Sequence, residues 1–350
     1  MSLIWMDGWD TYGSTGDTSP YVVDNGIVNI LTSGGRFASG GAVECQDFAG
    51  RLRIPNLPAI STRFFFGAHL LQENSGSGND QQLVEIGDSG ATGVNAEKSS
   101  GGIVTISNEG DTNTTTVRDA NGNSWDISSS WPSLGSWFYL EIAADVNAAS
   151  SNIVVRIDGS EILNVTGATD NSGNVETIIL GSGNHPDTST WDDTILMDDQ
   201  GTQNNGFLGP RRIVTLRPNA TGDSADWSAT GSATNYENVD EAPGPNGDTD
   251  YNSSGTSGDL DLFNHEDISL AVNEINAVQV QVKGKNAAGT GQTIAPTVKS
   301  GTTVSNGTST QISSSNYTAI RAVFENDPDT GSAWTKSGVN NAQAGYDNVT

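Results

Sequence analysis

The chain has 350 residues, 42 acids against 15 bases, a formal net charge of −27 and 42 glycines. Such acidity excludes the basic stripe of a nucleic-acid binder and the Lys/Arg cluster that holds a protein to anionic lipid. Eight tryptophans and 34% hydrophobic residues exclude a disordered acidic tail, and the length admits two domains.

In chain order, the first residues, Met1 to Asp7, carry neither a basic region nor a long apolar run. Neither a signal peptide nor a transmembrane span is expected, and the chain reads as made and soluble in a cytoplasm. Strand-like runs follow at residues 26–31, 61–68, 83–86, 102–106, 114–117, 125–127, 137–144 and 152–157. Each is short, rich in β-branched or aromatic types, and bounded by Gly, Asn, Asp or Ser. Asn121-Gly122 and Asp158-Gly159 are tight-turn signals, because glycine tolerates positive φ. The polar stretch 198–205 precedes Phe207-Leu208-Gly209-Pro210-Arg211-Arg212, and strand character returns at 277–282, 292–298 and 319–324. Helical periodicity is nearly absent. The expected architecture is all-β: a jelly-roll sandwich over residues 1–212 and a second, smaller β-sandwich module over 213–350.

Chemistry-bearing residues are sparse. The single Cys45 forms no disulfide framework and reads as a small buried hydrophobe. His69, His185 and His265 are isolated in sequence, without zinc or haem spacing. Asp7 and Asp10 near the start, with Asp192 and Asp193 near the end of the first module, could converge if first and last strands are adjacent. Calcium is the cation that hard oxygen ligands suit. The turn reading of Asp7-Gly8 is preferred, because calcium takes six to eight oxygens and these residues offer four carboxylates. Asn246, Asp248 and Asp250 have alternate-ligand spacing, but Tyr251 and Ser257 stand where a calcium-binding loop needs Gly and Glu, so an exposed loop is expected. No cofactor other than calcium is expected. Glu141 and Asp145 share a strand face, but about 13 Å separates residues four apart in a strand, beyond the carboxylate spacing of a glycosidase. No nucleophile elbow, phosphate loop or dinucleotide fingerprint is present, and no enzymatic activity is expected. Trp131, in the loop Ser128–Ser133, and Trp125 are the candidate glycan or partner contacts.

The opening Leu3-Ile4-Trp5-Met6-Asp7-Gly8-Trp9-Asp10-Thr11-Tyr12-Gly13, the segment Gly34-Gly35-Arg36-Phe37, the strand Trp137-Phe138-Tyr139-Leu140-Glu141, the hairpin Val155-Arg156-Ile157-Asp158-Gly159, Trp191-Asp192-Asp193 with Asp198-Asp199-Gln200-Gly201, and the exit Phe207–Ile213 together resemble tailed-bacteriophage virion proteins with an N-terminal concanavalin A-like (laminin G-like) jelly roll. Residues 327–335 and Val339-Asn340 resemble the second half of such proteins. The resemblance implies a non-enzymatic virion structural protein, assembled in the host cytoplasm and released by lysis, a homo-oligomer contacting other virion proteins. It implies neither nucleic-acid binding nor membrane insertion. A tail-associated fibre that binds host surface glycans is the first expectation. A capsid decoration or head-fibre protein is the alternative, and a polysaccharide-degrading tailspike the second alternative.

Overall fold

The structure is a computed structural model, and it describes residues 2–12, 21–37, 40–73, 80–89, 91, 102–109, 114–169, 173–181, 188–242, 244–245, 247–286, 291–312 and 316–349. His185, Gly13, Pro243 and Asn246 lie outside the described residues. The chain divides into two compact units, Met1–Ile213 and Val214–Thr350. Nearly every element in both is a β-strand, and the strand pairings are antiparallel, as the short, turn-bounded runs of the sequence require. Among the described residues no helix is long and apolar enough to cross a membrane.

Among the described residues the first unit contains thirteen strands: β1 (Leu3–Asp7), β2 (Val22–Leu31), β3 (Ala42–Ile54), β4 (Arg63–Gln72), β5 (Asp80–Gly87), β6 (Gly102–Glu109), β7 (Thr114–Asp119), β8 (Ser124–Asp126), β9 (Trp137–Asp145), β10 (Ser151–Ile157), β11 (Ser160–Gly167), β12 (Thr177–Gly181) and β13 (Thr188–Asp198). Their hydrogen-bonded order is β11-β10-β9-β4-β13-β3-β12-β5-β6-β7-β8, with β1 beside β13 and β2 beside β3. The path folds back on itself as a jelly-roll sandwich. Alternation explains why: Phe64, Phe66, Ala68 and Leu70 of β4 and Phe138, Leu140, Ile142 and Ala144 of β9 enter one core with Val84 and Ile86 of β5 and Ile106 of β6. Each such side chain contributes about 1.5–3 kcal/mol on burial. The side chains between them, Phe65, Gly67 and His69 on β4 and Tyr139, Glu141 and Ala143 on β9, point to the opposite face. Most of these are buried as well. A sheet buried on both faces needs a second cover, and the segment following β13 contributes to it.

Two turns place the site strands. Asp158 and Gly159 both have positive φ, 50° and 80°, the geometry a two-residue hairpin needs to match strand twist. That turn joins β10 to β11 and is tied to β9, because Asp158 Oδ1 accepts from the Tyr139 amide at 2.9 Å. In β13 the register against β4 shifts between Asp192 and Ile195, and Asp193 takes a φ of 49°. This is a bulge, which re-aims side chains that regular alternation would send elsewhere.

The second unit has a six-stranded sheet whose main path runs Pro218–Ala225, Leu260–His265, Gln343–Asn348, Gln292–Ser300 and Thr303–Asn306. A two-stranded sheet of Val278–Gly284 and Thr318–Phe324 forms the second layer. Val280, Ala322 and Phe324 from this pair meet Val298, Trp334 and Val339 between the layers. The helix Lys336–Asn340 was not expected from sequence; Thr335 caps it by accepting from the Gly338 amide. Asp248 of the acidic loop is engaged by Lys285 and by the Tyr317 hydroxyl.

Candidate functional site

On the face of β4, β9 and β13 away from the core, three polar side chains from three strands meet. His69 and Tyr139 are directly paired in the β4–β9 register, and their rings lie 4.7 Å apart, edge to face. His69 Nδ1 lies 3.0 Å from Asp193 Oδ2, a contact made by the bulge. Gly67 makes room for the phenol, since a Cβ there would stand 2.4 Å from the Tyr139 hydroxyl. All three side chains are buried, with His69 at 1%, Tyr139 at 0% and Asp193 at 2% exposure.

Among the described residues, His69 Nε2, the Tyr139 hydroxyl and Glu141 Oε2 have no hydrogen-bond partner. A buried polar atom without a partner costs about 1–3 kcal/mol. Three of them gather on one face of two adjacent strands. In the tautomer whose Nδ1–H donates to Asp193, the lone pair of His69 resides on Nε2 and the imidazole is oriented as a base. Burial, helped by the Arg36 charge, lowers the His69 pKa to about 3, so the ring is neutral. Burial and then the nearby carboxylates of Glu141 and Asp193 hold the Tyr139 phenol protonated, well above its ordinary range. Burial also raises Glu141. Asp192 and Asp193 are raised to about 7, chiefly by burial, with Asp193 repelling Asp192 and Asp10 repelling both. At the rim of the cluster Phe37 packs edge to face on His69 at 6.1 Å. The guanidinium groups of Arg36 and Arg212 lie 5.0 and 3.9 Å from the Phe37 ring centre, and both arginines are exposed.

Asp7, Asp10, Asp192 and Asp193, the four candidate metal ligands, each accept hydrogen bonds of their own. Asp7 makes an Asx turn by accepting from the Trp9 amide at 2.8 Å and also accepts from the Tyr12 and Tyr21 hydroxyls. Asp10 accepts from the Gly41 amide. Asp192 accepts from the Arg36 and Asp193 amides, and Asp193 accepts from the Ile213 amide and contacts His69 Nδ1. Among the described residues no three His, Cys, Asp or Glu side chains form a group that could hold a metal ion. Trp131 is half-buried, packs on Phe138 with ring centres 5.2 Å apart, and donates from Nε1 to Gln72. Trp125 packs against the core from β8. Neither tryptophan is part of the cluster. Asp145 sits at the far end of β9 and pairs with Arg63 at 2.8 Å, so the neighbours of Glu141 come from other strands. Cys45 is buried, and its thiol is pushed up to about 12.

No protein-family model matches the chain, and no curated protein matches it. Solved structures do. A cellulose-induced protein, Cip1, aligns at 12% identity and a TM-score of 0.37 over 51% of this chain and 89% of that one. An endo-β-1,4-glucuronan lyase from the fungus Trichoderma reesei aligns at 10% identity and 0.40 over 56% of this chain and 95% of that one. An alginate lyase solved with an alginate tetrasaccharide aligns at 12% identity and 0.39 over 56% and 96%. The expectation of a non-enzymatic virion structural protein, whether tail fibre or capsid decoration, is therefore corrected. The solved structures similar to the chain include polysaccharide lyases. Short motifs that shape a sandwich do not carry a function with them, because function resides in sites placed on folds.

Proposed function

We propose that the first unit is a carbohydrate-active enzyme that cleaves glycosidic bonds in an anionic polysaccharide by paired proton transfer. The observation that carries this reading is the His69–Tyr139 pair, with Nε2 and the phenol both unpartnered and Asp193 fixing the imidazole. His69 Nε2 takes the proton from the carbon that bears the sugar carboxylate, the electrons of that C–H bond form a carbon–carbon double bond as the C–O bond on the next carbon breaks, and the Tyr139 phenol donates a proton to the departing oxygen. Asp193 positions His69 and stabilises the imidazolium while it lasts. Arg36 and Arg212 supply exposed cationic heads over Phe37, suited to a sugar carboxylate. Elsewhere a chain of net charge −27 repels such a ligand, so the arginines define where it binds. Glucuronan and alginate, the polymers for which two of the similar lyases are named, are the substrates to assay.

The test is chain shortening of both polymers by the purified protein. His69→Ala and Tyr139→Phe should each lower the rate at least a hundredfold, the usual size of a lost acid–base group, with the melting transition retained. Equal rates for wild type and both variants would refute the site.

A further inference from the structure

The site is covered by its own chain. After β13, residues Phe207–Ile213 cross the face that carries His69 and Tyr139. Gly209 donates its amide to Glu141 Oε1 at 2.8 Å on β9, and Ile213 donates its amide to Asp193 Oδ1 on β13 at 2.6 Å. Between those strands lies β4, so the two anchors are two strand spacings apart, about 10 Å. Four residues of extended chain reach about 13–14 Å, enough to cross but not to loop away. The path therefore passes over Gly67 and His69, which pair with Glu141 and Asp192 respectively. Phe207 fastens the near end, with its ring 5.3 Å from Phe65 and the Arg156 guanidinium 4.0 Å from its centre. Arg212 fastens the far end on Phe37, and Ile213 packs on Gly8, where a Cβ would stand 3.0 Å from it.

We infer that Phe207–Ile213 is an autoinhibitory strap: it occupies the substrate's place on the β4–β9–β13 face and must lift as a unit before His69 and Tyr139 can act. This rests on the proposed function for its consequence, but not for its test. The fastenings are those of a removable segment. It contributes no strand to the sheet, and its residues from Phe207 to Gly209 are only half-buried. The covered pair is also mistuned for work at neutral pH. A base lowered to about 3 by burial and a phenol held well above its ordinary range are both far from the operating pH that favours proton transfer. Admitting water moves each back toward its ordinary value. An anionic sugar competing for Arg212 would loosen the far fastening at the same moment.

Labelling with diethyl pyrocarbonate, followed by mass spectrometry, reads the strap without any substrate. In the full wild-type chain His69 should react at least tenfold more slowly than the half-buried His265, which serves as internal reference. In Phe207→Ala/Gly209→Pro, which removes the aromatic fastening and the amide on Glu141, His69 should react at least tenfold faster while His265 is unchanged. An unchanged His69 rate overturns the strap. Should the double variant fail to fold, amide exchange in the wild type decides. Gly209 and Ile213 amides should exchange at least a hundredfold faster than Leu140 in β9 through local opening. Equal protection at all three overturns the strap, because it would then open only with the whole unit. Failure of either measurement leaves the polymer assay of His69→Ala standing, and failure of that assay leaves the labelling result intact.

Discussion

A buried hydroxyl without a partner is a liability for stability, and that makes Tyr139 diagnostic. Removing an unsatisfied polar atom relieves a desolvation cost, so Tyr139→Phe should stabilise the first unit by about 1 kcal/mol in urea unfolding. The same change should abolish polymer cleavage. A tyrosine kept only for packing would show no loss of activity, and one with a hidden structural bond would lose stability. Gly67 gives the complementary measurement. A Cβ at this position stands 2.4 Å from the Tyr139 hydroxyl and 3.1 Å from Ile195. Overpacking of this kind costs about 1–3 kcal/mol, so Gly67→Ala should lower stability by that amount. In the Gly67→Ala/Tyr139→Phe double variant at least half of the loss should return, since residues in contact are not additive. Full additivity would mean that the phenol does not sit over Gly67.

At the level of elements, the sandwich was legible in the sequence and the site was not. Runs such as residues 137–144 and 152–157 lie within β9 and β10, and Asp158-Gly159 is the hairpin its residue types demand, because local propensity and turn chemistry act along the chain. His69 and Asp193 are 124 positions apart and meet only through strand register, which no local spacing encodes. One signal was available. His69 alternates with Phe64, Phe66, Ala68 and Leu70, which marks it as facing away from the core in a strand apolar on both faces. The Asp193 bulge had no comparable mark, since positive φ at an aspartate is not readable from neighbours. The turn after β10 bears directly on the site. Asp158 accepts from the Tyr139 amide and donates its own amide to the Tyr139 carbonyl. Asp158→Ala removes a carboxylate acceptor and places a Cβ-bearing residue at φ 50° without a local hydrogen bond. The loss of stability should be about 1–3 kcal/mol, measured by thermal unfolding. Cleavage should fall further than stability alone explains, because Tyr139 is released from its register. Asp158→Asn, which tolerates the same backbone conformation, should restore most of both.

For the whole molecule, the buried aspartate pair and the buried histidine give opposite pH signatures that one substitution separates. The Asp192–Asp193 pair titrates together near 7 in the folded chain, against about 3.9 for an ordinary aspartate. Raised folded-state values mean that these two carboxyls hold protons in the folded form that the unfolded chain has lost between about 4 and 7. The stability this supplies is fully present below the unfolded value and is lost as pH rises through about 7. His69 has the opposite sign. Its folded value of about 3 lies below the unfolded value of about 6.5. The unfolded chain therefore takes up a proton that the folded one does not, and stability falls as pH drops below about 6.5. Each titrating group has a slope of about 1.4 kcal/mol per pH unit, so between about pH 6.5 and 4 the histidine offsets only part of what the two aspartates supply. The rest of the −27 charge and every carboxylate outside the cluster contribute equally to wild type and to a variant that changes only the histidine. His69→Gln removes the opposing titration while keeping a donor toward Asp193. The difference in unfolding free energy, variant minus wild type, should therefore rise by about 1.4 kcal/mol per unit as pH is lowered from 6.5 to 4. Measurement in high salt suppresses the long-range surface terms. A difference that stays flat over this range would show that His69 is protonated in the folded chain, which would remove it as the base.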